Sequence, residues 1–304
     1  MNILLIGKTG QLGWELERST LPPGKLIAVD YPEIDLGSPD SIRTWVDDVK
    51  PGVILNAAAY TAVDQAETEA ELAQKINGEA PGLLAELALK LEAVLIHFST
   101  DFVFDGKKGS PYLEVDSPRP INVYGRSKLA GELAVMDVGG QVFIYRTSWL
   151  YSNRRDCFLT KVLRWARTQT NLKIVADQTG SPTWARTLAG ATAESLAVMW
   201  DAGRDWREEH AGIYHTAGIG AATRYEWAER ILALDPHREE QITSKLEKAL
   251  SSDFAAAAER PEFSALDCSK FQTTFSRFYT PWDIALKEAL RDEPLQDQAV
   301  LKPR

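Results

Sequence analysis

A short apolar run, Ile3-Leu4-Leu5-Ile6, passes directly into Gly7-Lys8-Thr9-Gly10-Gln11-Leu12-Gly13 and then into Trp14-Glu15-Leu16. No other stretch restricts the fold as strongly. Strand, glycine turn and helix in immediate succession open a βαβ unit that sets a helix N-terminus beside an anion. Glycine lets the backbone turn tightly and approach a pyrophosphate. The spacing is GxxGxxG rather than GxGxxG, and its weight comes from its place after a strand. The second apolar run ends at Asp30, where a carboxylate can accept hydrogen bonds from adenosine ribose hydroxyls. Such a carboxylate favours NADH over NADPH, whereas Lys8 nearby works the other way, so the reading admits either cofactor.

The rest of the chain repeats that opening. Apolar runs at Leu26–Val29, Val53–Leu55, Val94–Phe98 and Val142–Tyr145 alternate with helical segments at 40–49 and 69–91. Runs that are apolar throughout predict strands covered on both faces, hence an α/β, Rossmann-type doubly wound parallel sheet. After Tyr151 the rhythm loosens. Short strands are expected near 173–176 and 212–216, and helices near 225–234 and 282–290. The expected division is a dinucleotide-binding domain over 1–150 with a return around 186–218, and a smaller substrate-binding lobe from 151–185 and 219–304. Residues 201–210 read as a polar surface connection and 292–304 as a loosely held tail.

Chemistry concentrates on Tyr124-Gly-Arg-Ser-Lys128. Residues four apart share a helix face, so the phenol and the ammonium can enter one cleft. A cation beside the phenol is expected to lower its pKa and speed proton exchange. The fourth strand ends in His97-Phe98-Ser99-Thr100-Asp101, at the carboxyl edge where open α/β sheets bind ligands. Thr100 can bond an oxygen that becomes an alkoxide and Asp101 a sugar hydroxyl. The other reading is that Ser99 and Thr100 cap the next turn. His97 reads as a hydrogen-bonded core residue. After the third strand, Ala59, Tyr60 and Thr61 leave room for a cofactor, although Thr61 and Asp64 have the spacing of a capping box. Asp35-Leu36 can lie beside an adenine, and Trp149 after the fifth strand can stack on a sugar or base.

Other classes are excluded or disfavoured. The 304 residues carry a net charge of −9, which disfavours nucleic acid as a partner. Cys157 and Cys268 stand far apart, without a metal-ligand or disulfide pattern. With no basic leader and no apolar run of roughly 20 residues, a cytoplasmic location without membrane association is expected.

The ordered set GKTGQLG, NAAAYTAVDQAE, STDFVFDG, YGRSKLAGE, RTSWLY, QTGSPT, GIYHTAG and RPEFSALD resembles the dTDP-4-dehydrorhamnose reductases, a family of extended short-chain dehydrogenases. The resemblance implies NADH- or NADPH-dependent reduction of a nucleotide-linked keto-sugar at C4. It implies that Gly10, Gln11 and Leu12 meet the pyrophosphate, and that Asp30, Asp35, Leu36, Ala59, Tyr60 and Thr61 line the remaining cofactor site. Thr100, Asp101 and Trp149 would meet the substrate, and Tyr124 with Lys128 would perform the chemistry. Arg260, before Pro261, is the expected diphosphate contact in the second lobe. Phe98 and Phe102 stand where many members have tyrosine. Some members dimerise around magnesium held by glutamates, and Glu15 matches one such position. Arg186 falls where another carboxylate would be expected, so no tightly held metal is predicted and a homodimer is left open. A related epimerase or dehydratase, or a non-catalytic regulatory subunit like the beta subunit of methionine adenosyltransferase, are the competing readings.

Overall fold

The computed structural model describes residues 1–277 and 279–292. Six of its strands form one sheet: β1 (Asn2–Ile6), β2 (Lys25–Val29), β3 (Val53–Asn56), β4 (Val94–Thr100), β5 (Val142–Thr147) and β6 (Gly212–His215). Their order is β2-β1-β3-β4-β5-β6, and every pairing is parallel. From β1 the chain steps outward to β2, then crosses back to β3 on the other side. The β1/β3 junction is therefore the switch point, where the loops after the two strands diverge and leave a crevice. Gly7 follows β1 and Ala57 follows β3, so the glycine turn and the alanine-rich segment flank that crevice.

Eight helices are labelled here: α1 (Gln11–Glu17), α2 (Pro39–Val49), α3 (Ala80–Lys90), α4 (Val123–Val138), α5 (Phe158–Ala166), α6 (Ala185–Ala202), α7 (Arg224–Leu234) and α8 (Trp282–Arg291). Strand periodicity divides β1 between two cores. Leu4 and Ile6 join a cluster with Ile42 and Val46 of α2, Leu84 of α3 and Val135 of α4. Ile3 and Leu5 join Leu16 of α1, Leu188 of α6 and Phe271 on the opposite face. A third apolar cluster gathers α5, α7 and α8 around Trp227, Tyr151 and Leu286. Beside it lie short pairings: 171–175 with 245–249, 179–180 with 222–223, and 150–151 with 183–184.

Two segments differ from expectation. The helix expected over 69–91 is broken into Ala70–Gln74, a π turn at Lys75–Glu79, and α3, which has a proline in its first turn. One extra residue in that turn rotates Asn77 inward, where it is buried. The polar stretch 201–210 is helical rather than a plain connection: α6 runs to Ala202 and a further turn spans Arg204–Glu209. That turn buries none of its residues, so it has no apolar period to read. Among the described residues no helix is long and apolar enough to cross a membrane. The expected loose tail lies outside the described residues apart from Asp292.

Candidate active site

The glycine turn is forced by close backbone contacts. Gly7 has φ +96°, and a Cβ there would stand 2.7 Å from the Ala58 amide nitrogen. A Cβ on Gly13 would collide with the Gly7 carbonyl. Gly10 caps α1 without a side-chain acceptor, which leaves the first amides, from Gln11, Leu12 and Gly13, for an anion. This backbone suits a dinucleotide pyrophosphate. Asp30 does something the sequence did not announce. Its Oδ2 accepts from Thr9 N at 2.9 Å and Thr9 Oγ1 at 2.5 Å, and its Oδ1 accepts from Tyr31 N at 2.8 Å, so it fastens the turn to the end of β2. Lys8 pairs with Glu33 at 2.6 Å. Asp35 accepts from Gly37 N and Leu36 is buried. Ala59 and Tyr60 are half-buried and Thr61 is exposed. Thr61 caps nothing: the following helix starts at Val63 after Ala62, with no side-chain cap.

Tyr124 and Lys128 lie in the first turns of α4, whose N-cap, Asn122, accepts from Gly125 N at 2.7 Å. Gly125 permits the helix to press onto the loop after β4, because a Cβ there would run into the Phe102 carbonyl. The phenol ring meets Phe102 edge-on, with centroids 5.8 Å apart. Burial pushes the Tyr124 phenol up to about 12, against an opposing hydrogen bond from the Thr100 hydroxyl and with a further push from the Asp101 charge. The lowering expected from Lys128 does not occur, because the ammonium is directed elsewhere. Nζ donates to the Phe98 carbonyl at 2.7 Å and lies 3.3 Å from His97 Nε2. Lys128 is 1% exposed, and burial pulls its pKa down to about 8, with Glu132 resisting.

His97 is the core residue expected, and more. Burial and the Lys128 charge hold it well below its ordinary pKa, so it is neutral. An ammonium at Nε2 requires the lone pair there and the proton on Nδ1. The Asn56 amide is 3.1 Å from Nδ1, and Asn56 Oδ1 otherwise has no partner. We assign the amide with its oxygen toward Nδ1–H, which satisfies both groups.

Thr100 ends β4 and Asp101 opens the short turn that follows it. Thr100 Oγ1 accepts from Phe102 N at 3.2 Å, so it does cap the next turn, while the same hydroxyl also faces the Tyr124 phenol. Asp101 is 2% exposed and receives hydroxyls from Thr100 at 3.1 Å, Ser148 at 2.9 Å and Ser264 at 2.5 Å. Burial raises its pKa despite those bonds. Trp149 is buried, and its φ of +44° is left-handed, a conformation uncommon for a bulky residue. Arg260 differs from expectation: its guanidinium holds Asp64 at 3.0 and 2.7 Å and the Ala258 carbonyl at 2.7 Å. The structure thus brings Thr100, Asp101 and Tyr124 together, turns the Lys128 ammonium onto the β4 backbone at Phe98, and engages Arg260 with its own chain.

Other supports went unremarked in the sequence. Asn77, on the π turn, accepts from Tyr60 N at 2.8 Å and donates to Tyr60 O and Ser127 Oγ at 3.0 Å each, linking the loop after β3 to α4. Glu132, two turns beyond Tyr124, forms a buried fork with Arg146, with Nε–Oε1 at 2.9 Å and Nη2–Oε2 at 2.6 Å, and also accepts from Ser99. The signal for Asn77 was an asparagine within an apolar helix; Glu132 carried none until β5 was placed beside α4. A shallow groove between 70–79 and α4 includes neither Tyr124 nor Lys128 in its lining. At Glu15, Arg186 bridges to Glu15 at 3.0 Å and Asp292 at 2.6 Å, and Arg154 stands 3.6 Å from both carboxylates.

Comparison with known proteins follows the same residues. The family model described as RmlD substrate binding domain matches residues 1–294. The dTDP-4-dehydrorhamnose reductase of Burkholderia thailandensis is 40% identical over 300 residues, covering 96% of this chain and 99% of the relative. That of Escherichia coli K12 is 38% identical over 299 residues, covering 96% and 98%. A crystal structure of the Bacillus anthracis dTDP-4-dehydrorhamnose reductase in complex with NADP superimposes with a TM-score of 0.85 at 29% identity, covering 96% of this chain and 99% of that one. The Thermus thermophilus UDP-glucose 4-epimerase, at 16% identity and a TM-score of 0.76, shares the fold.

Proposed function

We propose a reaction for this chain from the premise that it belongs to the family of dTDP-4-dehydrorhamnose reductases. It is an NAD(P)H-dependent oxidoreductase that reduces the C4 ketone of dTDP-4-dehydro-L-rhamnose to give dTDP-L-rhamnose. The observation that carries the reading is the contact of Thr100 with Tyr124 at the carboxyl edge of the sheet that also bears the glycine turn, with Lys128 anchored one helical turn on against Phe98.

A reduced nicotinamide, when bound, would supply the hydride. Gly7, Gly10 and Gly13 would let the backbone approach the pyrophosphate, which the amides of Gln11 and Leu12 would hold. Asp30 keeps that turn closed through Thr9, while Asp35, Leu36, Ala59, Tyr60 and Thr61 would line the rest of the cofactor site. Tyr124 carries its proton at neutral pH, as a reduction needs, because burial disfavours the phenolate. It gives that proton to the oxygen at C4 as negative charge develops there. Thr100, anchored by Phe102 N, would turn its single hydroxyl proton from Asp101 to the same oxygen. Lys128 uses two of its three protons on Phe98 O and His97, leaving one for the nicotinamide ribose. Asp101 and Trp149 border the sugar, and the residues of 151–185 and 219–292 take the nucleotide end.

The test is a spectrophotometric assay with purified protein, dTDP-4-dehydro-L-rhamnose and each reduced cofactor. Stoichiometric loss of the reduced-nicotinamide absorbance with formation of dTDP-L-rhamnose is expected. Sugar turnover without net cofactor consumption would identify an epimerase instead. No turnover with either cofactor would end the reading.

A further inference from the structure

Arg224 opens α7 behind a capping box in which Thr223 and Glu226 satisfy one another's amides. Its half-buried guanidinium lies 3.5 Å from the Trp149 ring centroid, 5.0 Å from that of Phe158 and 5.5 Å from that of Trp227. Among the described residues no carboxylate pairs with it. Asp101, the carboxylate whose charge reaches it, is already engaged by three hydroxyls. Burial works against the Arg224 charge, Arg260 works against it too, and Asp101 supports it.

A cation placed like this is costly. Aromatic faces return less than a hydrogen-bonded carboxylate would. Apolar side chains would fill such a niche at no electrostatic cost. A second cost sits beside it, since the indole beneath Arg224 rides on a left-handed backbone. Charge and strain held together, next to Asp101 and beside the third apolar cluster, fit a site that completes its bonding with an incoming anion.

We propose that Arg224 is the residue that reads the diphosphate of the nucleotide-sugar, leaving the face of Trp149 to form a forked pair with phosphate oxygens. The inference rests on the substrate class assigned above and assigns the anion contact to Arg224 rather than Arg260. Planar, bidentate geometry suits phosphate, and the movement uncovers indole surface where the sugar lies.

The experiment is calorimetric titration of the full chain, saturated with NADP+, with dTDP and with thymidine. Wild type should bind dTDP more tightly than thymidine. Arg224→Gln should lose about 10- to 100-fold in dTDP affinity while its thymidine affinity stays unchanged, which also reports an intact fold. Arg260→Gln, which removes a guanidinium already paired with Asp64, should change dTDP binding by less than about 3-fold. Unchanged dTDP affinity in Arg224→Gln overturns the proposal. So does an equal loss of dTDP and thymidine, which would make Arg224 only a support for Trp149. If wild type binds no dTDP, the substrate class falls and this inference falls with it.

Discussion

Replacing Lys128 by Met should end catalysis and change stability in a way that depends on pH. The side chain is 1% exposed, and burial lowers its pKa from 10.5 to about 8. The unfolded chain keeps the ordinary value near 10.4, so between about pH 8 and pH 10.4 the folded chain binds fewer protons than the unfolded one. Stability attributable to this group therefore rises with pH across that window. By linkage, the buried ammonium costs the fold about 3 kcal/mol at pH 7 and less than about 1 kcal/mol at pH 10. Met keeps most of the volume but leaves the Phe98 carbonyl and His97 Nε2 without their donor, a loss of about 1–3 kcal/mol that does not vary with pH. The two effects nearly cancel at pH 7 and leave the variant less stable at pH 10. The quantity to measure is the Met-minus-Lys difference in unfolding free energy at the two pH values, from urea curves without added nucleotide. It should change by about 2–3 kcal/mol. A difference that is the same at both pH values would refute the burial of the ammonium and the reasoning built on it.

Three further outcomes follow from the geometry. Glu132→Ala should lose about 3–5 kcal/mol in urea unfolding by stranding the Arg146 guanidinium in the core, and a loss below about 1 kcal/mol would mean that the pair is hydrated. His97→Leu removes an acceptor from the Lys128 ammonium, so the pKa of the amine falls and the alkaline limb of the kcat/KM profile should move about one unit lower in pH. His97→Gln should restore the limb, and an unmoved limb in the Leu variant would sink the assignment. Chelation by EDTA should leave Tm unchanged, since Arg186 and Arg154 already neutralise Glu15 and Asp292; Arg186→Glu should instead make Tm rise with added magnesium, and a chelator-sensitive wild type would contradict this.

The sheet was legible because its strands are buried on both sides and so read as unbroken apolar runs, and because a glycine turn at a strand end has few other uses. The placement of Tyr124 and Lys128 on one helix and of Thr100 at a strand end was legible for a local reason: helical spacing and the last residues of a strand can be read within a few positions. What was not legible depended on distant chain. Asp30 closing onto Thr9, Glu132 forking onto Arg146 and Arg260 turning to Asp64 are pairings that no window reveals. Arg224 passed unnoticed because a lone arginine before an aromatic helix face looks like any surface cation, and only the missing carboxylate sets it apart. The phenol's pKa went the other way from expectation because burial, which helical spacing does not reveal, dominates it, while the ammonium's hydrogen bonds go to Phe98 and His97.

The arginine clasp at Glu15 bears on the nucleotide end of the site from behind. Trp14 and Glu15 belong to the helix that rises from the glycine turn, and Arg154 lies over the Trp14 ring at 3.5 Å while also facing Asp292. The opening of the chain is thus pinned to residue 292 through two guanidiniums from the middle of the sequence. Cutting the chain before Asp292 would therefore be felt at the other end, as a weaker grip on NADP+ before any loss of the sheet.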